Sequence, residues 1–434
     1  MIERLFKLKH HKTDLRTELI AGLTTFMTMA YIIFVNPAIL SDAGMDFGAV
    51  MTATILSAAL ATILMGLWAN YPFALAPGMG LNAFFAYTVI LGMNISWQAA
   101  LAAVFLDGII FILLTMTRIR EDIVNAIPTN LKLAVSVGIG LFIAFIGLTS
   151  AGIVVASPAT FVTLGDLTEP KTLLAVFGLA LTGFLLARKV KGALFWGILG
   201  TSIAAFTVGL VEAPEKWISL PAAPLWFQMK FTGEGGLFEA GWKALLTVVF
   251  TFTFVDLFDT IGTLIGVSTK AKMLDKEGRL PRARQALMVD AIGTAAGAAM
   301  GTSTVTSYVE SAAGVAEGGR TGLTAVVTGL LFLPFLFLSP VASLIPAQAT
   351  APALILVGLF MMEPVLKINF ADYTEAIPAF LAIIIMPLTY SIAEGLVFGI
   401  LSYTILKALS GRAREVSLVM WLLSGLFVIR FIYI

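Results

Sequence analysis

Asp256 and Asp259 stand three residues apart in the run Thr251-Phe-Thr-Phe-Val-Asp-Leu-Phe-Asp-Thr-Ile-Gly-Thr (251–263). Residues three and four apart share one face of a helix. Asp256, Asp259, Thr260 and Thr263 therefore form one polar stripe on an otherwise apolar helix. Glu310 lies in Gly301-Thr-Ser-Thr-Val-Thr-Ser-Tyr-Val-Glu-Ser-Ala-Ala-Gly (301–314), among Thr302, Ser303, Thr304, Thr306 and Ser307. Asp290 lies in Val-Asp-Ala-Ile-Gly-Thr (289–294), a run of small residues suited to close helix packing. All of these acids fall inside apolar stretches. A carboxylate at membrane depth costs about 2.5–3.5 kcal/mol on insertion scales, so it calls for a functional reason.

Carboxylates and threonine hydroxyls together supply acceptors and donors, and Phe26, Phe84 and Phe85 supply planar faces. Such a set suits a flat, neutral heterocycle carrying several N–H and C=O groups. A carboxyl withdrawn from water favours its neutral form, the property that a proton carrier needs. Competing readings stand beside these. The stripe on 251–263 can be hydrogen-bond glue between helices, although Ser and Thr suffice for that. Glu310 can cap a helix or face water, and Asp290 can orient a neighbour without touching a ligand. Asp107, Glu363 and Glu394 are isolated or near segment ends, where snorkelling or loop placement is expected. The chain has no cysteine, and its two histidines, His10 and His11, sit in the polar amino-terminal tail. Disulfides and thiolate metal sites are excluded. So are a histidine proton relay, a paired-histidine metalloprotease and a serine–histidine hydrolase. The expectation is a protein that is not an enzyme, with no cofactor and no metal site.

The elements that position these residues must lie in lipid. Of 434 residues 59 % are hydrophobic and only 12 % charged, against roughly 25 % charged in soluble domains. The net charge of +1 points to no nucleic-acid partner. A spanning helix needs about 20 apolar residues. Fourteen apolar stretches are read at 18–37, 47–69, 75–91, 97–117, 132–150, 172–187, 192–211, 242–267, 285–301, 304–316, 321–343, 350–366, 376–390 and 392–409. A fifteenth, 417–433, is short and is expected to lie at the membrane interface. The basic start and the long apolar run after it predict no cleaved secretory leader. Lys and Arg gather in alternate loops: Lys7, Lys9, Lys12 and Arg16; Arg118, Arg120 and Lys132; Arg188, Lys189 and Lys191; Lys270, Lys272, Lys276, Arg279, Arg282 and Arg284; then Arg320, Lys367, Lys407, Arg412 and Arg414. The loops between lean acidic, with Asp42, Asp46, Asp166, Glu169, Glu212 and Glu215. Cytoplasmic loops carry the positive excess, so the pattern predicts fourteen crossings with both tails inside.

The third and tenth stretches look broken. The third opens with Ala-Pro-Gly-Met-Gly (76–80), and the tenth is short and ends in Glu-Gly-Gly-Arg (317–320). Irregular backbone at membrane depth is tolerated only where protein or a water-filled cavity satisfies it. Interrupted segments at matching positions of two halves point to a transporter's binding site. A repeat of seven plus seven fits these positions. Ile127-Pro128 opens the fifth stretch and Ile345-Pro346 the twelfth, and Gly-Leu-Phe follows each at the same distance (140–142 and 358–360). Lys191-Gly-Ala-Leu-Phe-Trp-Gly-Ile-Leu and Glu394-Gly-Leu-Val-Phe-Gly-Ile-Leu start the seventh and fourteenth. An odd number of crossings per half makes the second copy inverted. The fold class read from the sequence is an all-α polytopic membrane protein of about 14 segments arranged as a 7+7 inverted repeat.

Taken together, Ala21–Ile32, Ala-Pro-Gly-Met-Gly-Leu-Asn-Ala-Phe-Phe (76–85), Val-Asp-Leu-Phe-Asp-Thr-Ile-Gly-Thr (255–263) and Gly-Thr-Ser-Thr-Val-Thr-Ser-Tyr-Val-Glu-Ser (301–311) resemble the nucleobase–cation symporters of the xanthine/uracil permease superfamily, in the azaguanine-like purine branch. The likeness runs from the first stretch to the fourteenth. It implies a core domain of 1–117 and 242–345, a gate domain of 118–241 and 346–410, an interfacial 411–434, and short extended pieces in the third and tenth segments. Glu310 then matches a substrate-contacting glutamate and Asp259 the acidic position on the eighth segment. Asn82, Ala83 and Phe84 line the site, with Thr306 and Phe26 near it. Thr263 falls where the uracil branch has a histidine, which leaves Asp259, Glu310, Asp256 and Asp290 for proton coupling and argues against uracil. The expected activity is purine uptake with a proton (sodium the lesser alternative) across the cytoplasmic membrane, by an elevator-like mechanism in a lipid-embedded protein, with a homodimer implied. An anion exchanger of the same architecture would need positive charge at the site, where the stripe is acidic. A channel would show charge rings or a carbonyl filter repeated by symmetry.

Overall fold

The computed structural model describes residues 2–117, 127–214, 216–271, 273 and 280–433. Arg118, Arg120, Glu215, Lys272, Lys276 and Arg279 lie outside the described residues. Eight helical stretches among those described are long and apolar enough to cross a membrane, and five shorter apolar helices accompany them. All fourteen expected segments are found. They are Leu15–Asp42, Phe47–Ala69, the third described below, Trp97–Met116, Thr129–Ser150, Pro170–Ala187, Ala193–Thr207, Trp242–Ala271, Ala283–Met300, the tenth described below, Gly322–Phe332 running on into Leu333–Leu344, Ala347–Phe360, Tyr373–Leu388 and Ile392–Leu409. The chain is a multi-pass membrane protein with the 7+7 inverted-repeat fold.

Local chemistry sets the segment ends. Asp14 caps the first helix, accepting from Thr17 N–H at 2.9 Å. Asp46 caps the second at Ala49 N–H, 2.7 Å, and Ser96 the fourth at Ala99 N–H, 3.2 Å. These bonds satisfy donors that a helix start leaves free. Pro128 and Pro346 precede the fifth and twelfth helices, so the repeated Ile-Pro words mark equivalent starts. The first segment turns at Ala30–Tyr31, where Ile33 N–H bonds Ala30 C=O and Phe34 N–H bonds Tyr31 C=O, both at 3.1 Å. These three-residue bonds are tighter than α-helical ones.

The third and tenth segments are part strand. Strand β1 (Leu75–Pro77) is followed by helical Met79–Gly92. A hairpin of β2 (Val154–Ser157) and β3 (Phe161–Leu164) links the fifth and sixth segments. Strand β4 (Val305–Ser307) precedes the short helix Ser311–Ala316. β1 and β4 pair antiparallel, with Leu75 opposite Ser307, Ala76 opposite Thr306 and Pro77 opposite Val305. Gly78 N–H to Thr304 C=O and Tyr308 N–H to Ala74 C=O, both 2.9 Å, extend the ladder at either end. Each broken segment thus supplies the backbone partners that the other lacks, as lipid requires.

Segments one to four pack among eight to eleven, and five to seven pack among twelve to fourteen. The repeat-related glycines Gly140 and Gly358 meet across the fifth and twelfth helices: a Cβ at 358 would stand 2.4 Å from the Gly140 carbonyl oxygen. The long connection after the seventh segment lies across the ends of three others. Ser219 N–H bonds Phe337 C=O, Phe227 N–H bonds Ala299 C=O, and Lys230 N–H bonds Gln98 C=O. Helix Leu418–Tyr433 packs on the fourteenth segment through Ser424 Oγ to Thr404 Oγ1 (2.7 Å). It also meets the eighth through Phe427 and Phe250, edge to face at 5.5 Å.

Candidate functional site

The β1–β4 crossing has two of the acidic side chains singled out from the sequence, Asp259 and Glu310, beside it. On the eighth helix Asp259 is half-buried, and its Oδ2 accepts from Thr306 Oγ1 of β4 at 3.3 Å. The half-buried Glu310 follows β4. Its carboxylate does not cap the short helix that starts there. It turns instead to the first segment, where the Tyr31 hydroxyl donates to Oε1 at 2.7 Å. The capping alternative for Glu310 is therefore not what the structure shows. Tyr308 donates to the Pro77 carbonyl and Ser303 to Asn82 Oδ1, fastening one strand to the other segment's start. Asn36 Nδ2 bonds Thr54 Oγ1 (2.7 Å) and Thr302 Oγ1 (2.9 Å), tying the first and second segments to the turn before β4.

The polar stripe of the eighth helix divides between two neighbours. Asp259 faces β4. Asp256 and Thr260, both fully buried, face the ninth helix, where Thr260 Oγ1 lies 2.8 Å from Asp290 Oδ1 and 3.2 Å from Asp256 Oδ1. Thr263 is half-buried one turn beyond Asp259. Ala83 and Phe84 are buried behind the crossing, and the Phe84 ring stands edge-on to Phe252 at 4.9 Å. Phe26 meets Phe332 edge-on at 5.2 Å. Both rings have aromatic neighbours from the protein itself.

One expectation changes. Asp107 is fully buried in the middle of the fourth helix, not snorkelling. Its neighbour Gly108 explains the burial: a Cβ there would lie 2.7 Å from Ala295 N, so the fourth and ninth backbones are in close contact. The sequence reading also passed over Glu18, which is fully buried and accepts from five donors on three residues of the loop and helix start at 320–324. Its place at the edge of the first stretch hid it. Tyr31 and Tyr308 were missed as well. The available signal was a phenol inside an apolar run, since a buried Tyr O–H usually finds a partner.

Two broken segments crossing in an inverted repeat, with carboxylates and hydroxyls at the crossing, define a transporter of the inverted-repeat class. Residues 16–398 match the permease family that takes its name from xanthine and uracil, and the chain belongs to that family. It is 54 % identical over 435 residues to a putative permease of Methanocaldococcus jannaschii, covering 100 % of this chain and 98 % of that one. The guanine/hypoxanthine permease PbuG of Bacillus subtilis is 47 % identical, with 100 % of each chain covered. The adenine permease AdeP of Escherichia coli is 44 % identical, covering 100 % of this chain and 96 % of that one. Among solved structures, the transmembrane domain of a cyanobacterium bicarbonate transporter, BicA, aligns with a TM-score of 0.66 at 16 % identity, covering 89 % of this chain and 97 % of that domain. That likeness is one of fold.

Proposed function

We propose that this chain imports a purine nucleobase together with a proton across the cytoplasmic membrane. The observation that carries the reading is the β1–β4 crossing, which sets Asp259 and Glu310 beside paired backbone at the meeting of two broken segments. Purine permeases among the relatives supply the substrate class. Glu310 and Asp259 accept the N–H groups of the base. Asn82, Ala83, Phe84, Thr306, Thr263 and Phe26 complete the site. Among the described residues, the side chains bonded at the crossing are carboxylates, hydroxyls and amides, which suits a neutral base better than an anion.

The proton is carried by Asp259 and Glu310, with Asp256 and Asp290 behind them. A hydroxyl has one hydrogen to give. Both Thr260 contacts become hydrogen bonds when one of Asp256 and Asp290 holds a proton. In this reading one packing group is a core domain (1–117, 242–345) and the other a gate domain (118–241, 346–410), with 411–434 at the membrane edge. The core slides against the gate, carrying the base from one face to the other. The basic loops favour both tails inside, and in this reading gate faces pair in a homodimer.

The test is uptake of radiolabelled hypoxanthine, guanine, adenine and uracil by transporter-deficient cells expressing the chain, with and without a protonophore. Purine uptake should collapse with the protonophore. Glu310→Ala and Asp259→Ala should abolish uptake while the protein stays in the membrane, and normal transport by both variants would sink the site.

A further inference from the structure

The first and tenth segments meet at Glu310 with little freedom left between them. Tyr31 is 1 % exposed, and it gives its hydroxyl hydrogen to Glu310 Oε1 at 2.7 Å. One turn earlier on the same helical face, Thr28 Oγ1 lies 3.5 Å from the Glu310 carbonyl oxygen. Further down, a Cβ on Gly314 would fall 2.1 Å from Thr25 Oγ1 and 2.6 Å from the Ala21 carbonyl oxygen. The short helix after Glu310 therefore rests on the first segment almost backbone to backbone, and the place of Glu310 is set from there.

The terminal torsion of a glutamate is broad, so a carboxylate left alone samples many orientations. A carboxylate accepts at both oxygens. With Oε1 held by a phenol, the torsion is restricted and Oε2 is the oxygen left for a ligand. Tyr31 also sits at the Ala30–Tyr31 turn, where the first segment passes from one helix to the next. A ring at such a joint stays in place only if both helices do.

We infer that Tyr31 is a positioning residue for the transported base: it fixes the Glu310 carboxylate so that Oε2 receives a ring N–H. The inference rests on the proposed role of Glu310 in holding a base. It differs from a purely structural role, in which the phenol merely satisfies a buried acid and substrate affinity does not depend on it.

Tyr31→Phe keeps the ring and removes the donor. In the purified full-length protein, titration calorimetry with hypoxanthine, guanine and adenine reads affinity, and thermal unfolding without ligand reads the fold. In cells, uptake separates KM from maximal rate. Loss of this restraint predicts Kd and KM raised about tenfold, the size of one hydrogen bond to a charged group, with maximal rate near that of the parent, beside the small fall in unfolding midpoint that losing an internal bond brings. A lowered midpoint with unchanged Kd would overturn the inference in favour of a structural role. So would a normal midpoint with unchanged Kd and KM. If Tyr31→Phe does not accumulate, 3-fluorotyrosine at position 31 keeps the hydroxyl and reports on it. Its fluorine resonance should shift when base binds, and base binding with no shift overturns the inference. A parent protein that binds none of the bases defeats the functional reading itself, an outcome separate from all of these.

Discussion

Gly78 faces Thr306 so closely that a Cβ at position 78 would stand 2.7 Å from Thr306 Oγ1 and 3.2 Å from its Cγ2, with Asp259 Oδ2 only 3.5 Å away. The same Oγ1 is the partner of Asp259. The glycine therefore leaves room for the contact between β4 and the eighth helix. Overpacking of this kind costs about 1–3 kcal/mol. Gly78→Ala should lower both the unfolding midpoint and purine uptake, because Thr306 must move off Asp259. Adding Thr306→Ala removes the atoms in collision and should return much of the lost midpoint without returning uptake. Additive losses of stability in the double variant would show that the two positions do not touch.

Glu18 offers a second test, of the fold and not of the site. Its two oxygens accept from the N–H of Arg320, Thr321 and Thr324 and from the hydroxyls of Thr321 and Thr324, at 2.6–3.3 Å. It closes the start of the eleventh helix from the first. Stranding a buried donor costs about 1–3 kcal/mol. Glu18→Ala strands several at once and should sharply reduce the protein recovered from membranes and its unfolding midpoint. Glu18→Gln keeps one acceptor oxygen and should fall between. A midpoint unchanged in Glu18→Ala would mean that water replaces the carboxylate there.

Much of this architecture was legible in the sequence, because lipid leaves few choices. Apolar length gave the segments. The Pro77-Gly78 pair and the hydroxyl cluster 302–307 gave the two breaks, since neither run can stay helical and apolar throughout. The Gly140 and Gly358 words proved to be mates that touch. What stayed hidden depends on tertiary contact. Periodicity put Asp256 and Asp259 on one face but could not say that the face is shared between the ninth helix and β4. Burial of Asp107 follows from close contact at Gly108, which one segment's sequence does not reveal. Glu18 looked like an end residue because its donors lie about three hundred positions away.

At the ends of the thirteenth and fourteenth segments, Arg412 bonds Asp372 (2.6 Å) and Glu415 (2.7 and 2.8 Å), and Lys407 bonds Glu375 (2.9 Å) and Glu415 (2.8 Å). The Arg412 hydrogen bond, with Lys407 behind it, holds the Glu415 carboxyl down at about 2. Arg412 and then Thr374 hold Asp372 well below the usual carboxylate range. A folded-state pKa below the unfolded one stabilises above the unfolded value and is lost as pH falls through the folded value. The difference in unfolding midpoint between the parent and Arg412→Ala should be constant from about pH 8 to about pH 5 and should shrink below about pH 4. It should also shrink with added salt, because the Arg412 and Glu415 side chains are 40 % and 46 % exposed. A difference that grows on acidification would contradict the ion pairs.

The proposed sliding of core against gate can be tested at a pair that joins the two packing groups. Lys191, just before the seventh helix, bonds Glu317, just after the tenth, with Nζ to Oε1 at 2.7 Å. Both are partly exposed, so the pair contributes little stability, but its two ends belong to the groups that must part if core moves against gate. The chain has no cysteine, so Lys191→Cys combined with Glu317→Cys carries the only two thiols. A short bismaleimide joining them should stop purine uptake. A linker with a reducible disulfide should stop it only until reductant is added, and either single variant treated alike should transport normally. The single variants matter because they separate tethering from chemical damage at either site. Full cross-linking with undiminished uptake would mean that residues 191 and 317 stay together throughout transport, and the proposed movement of core against gate would have to be given up.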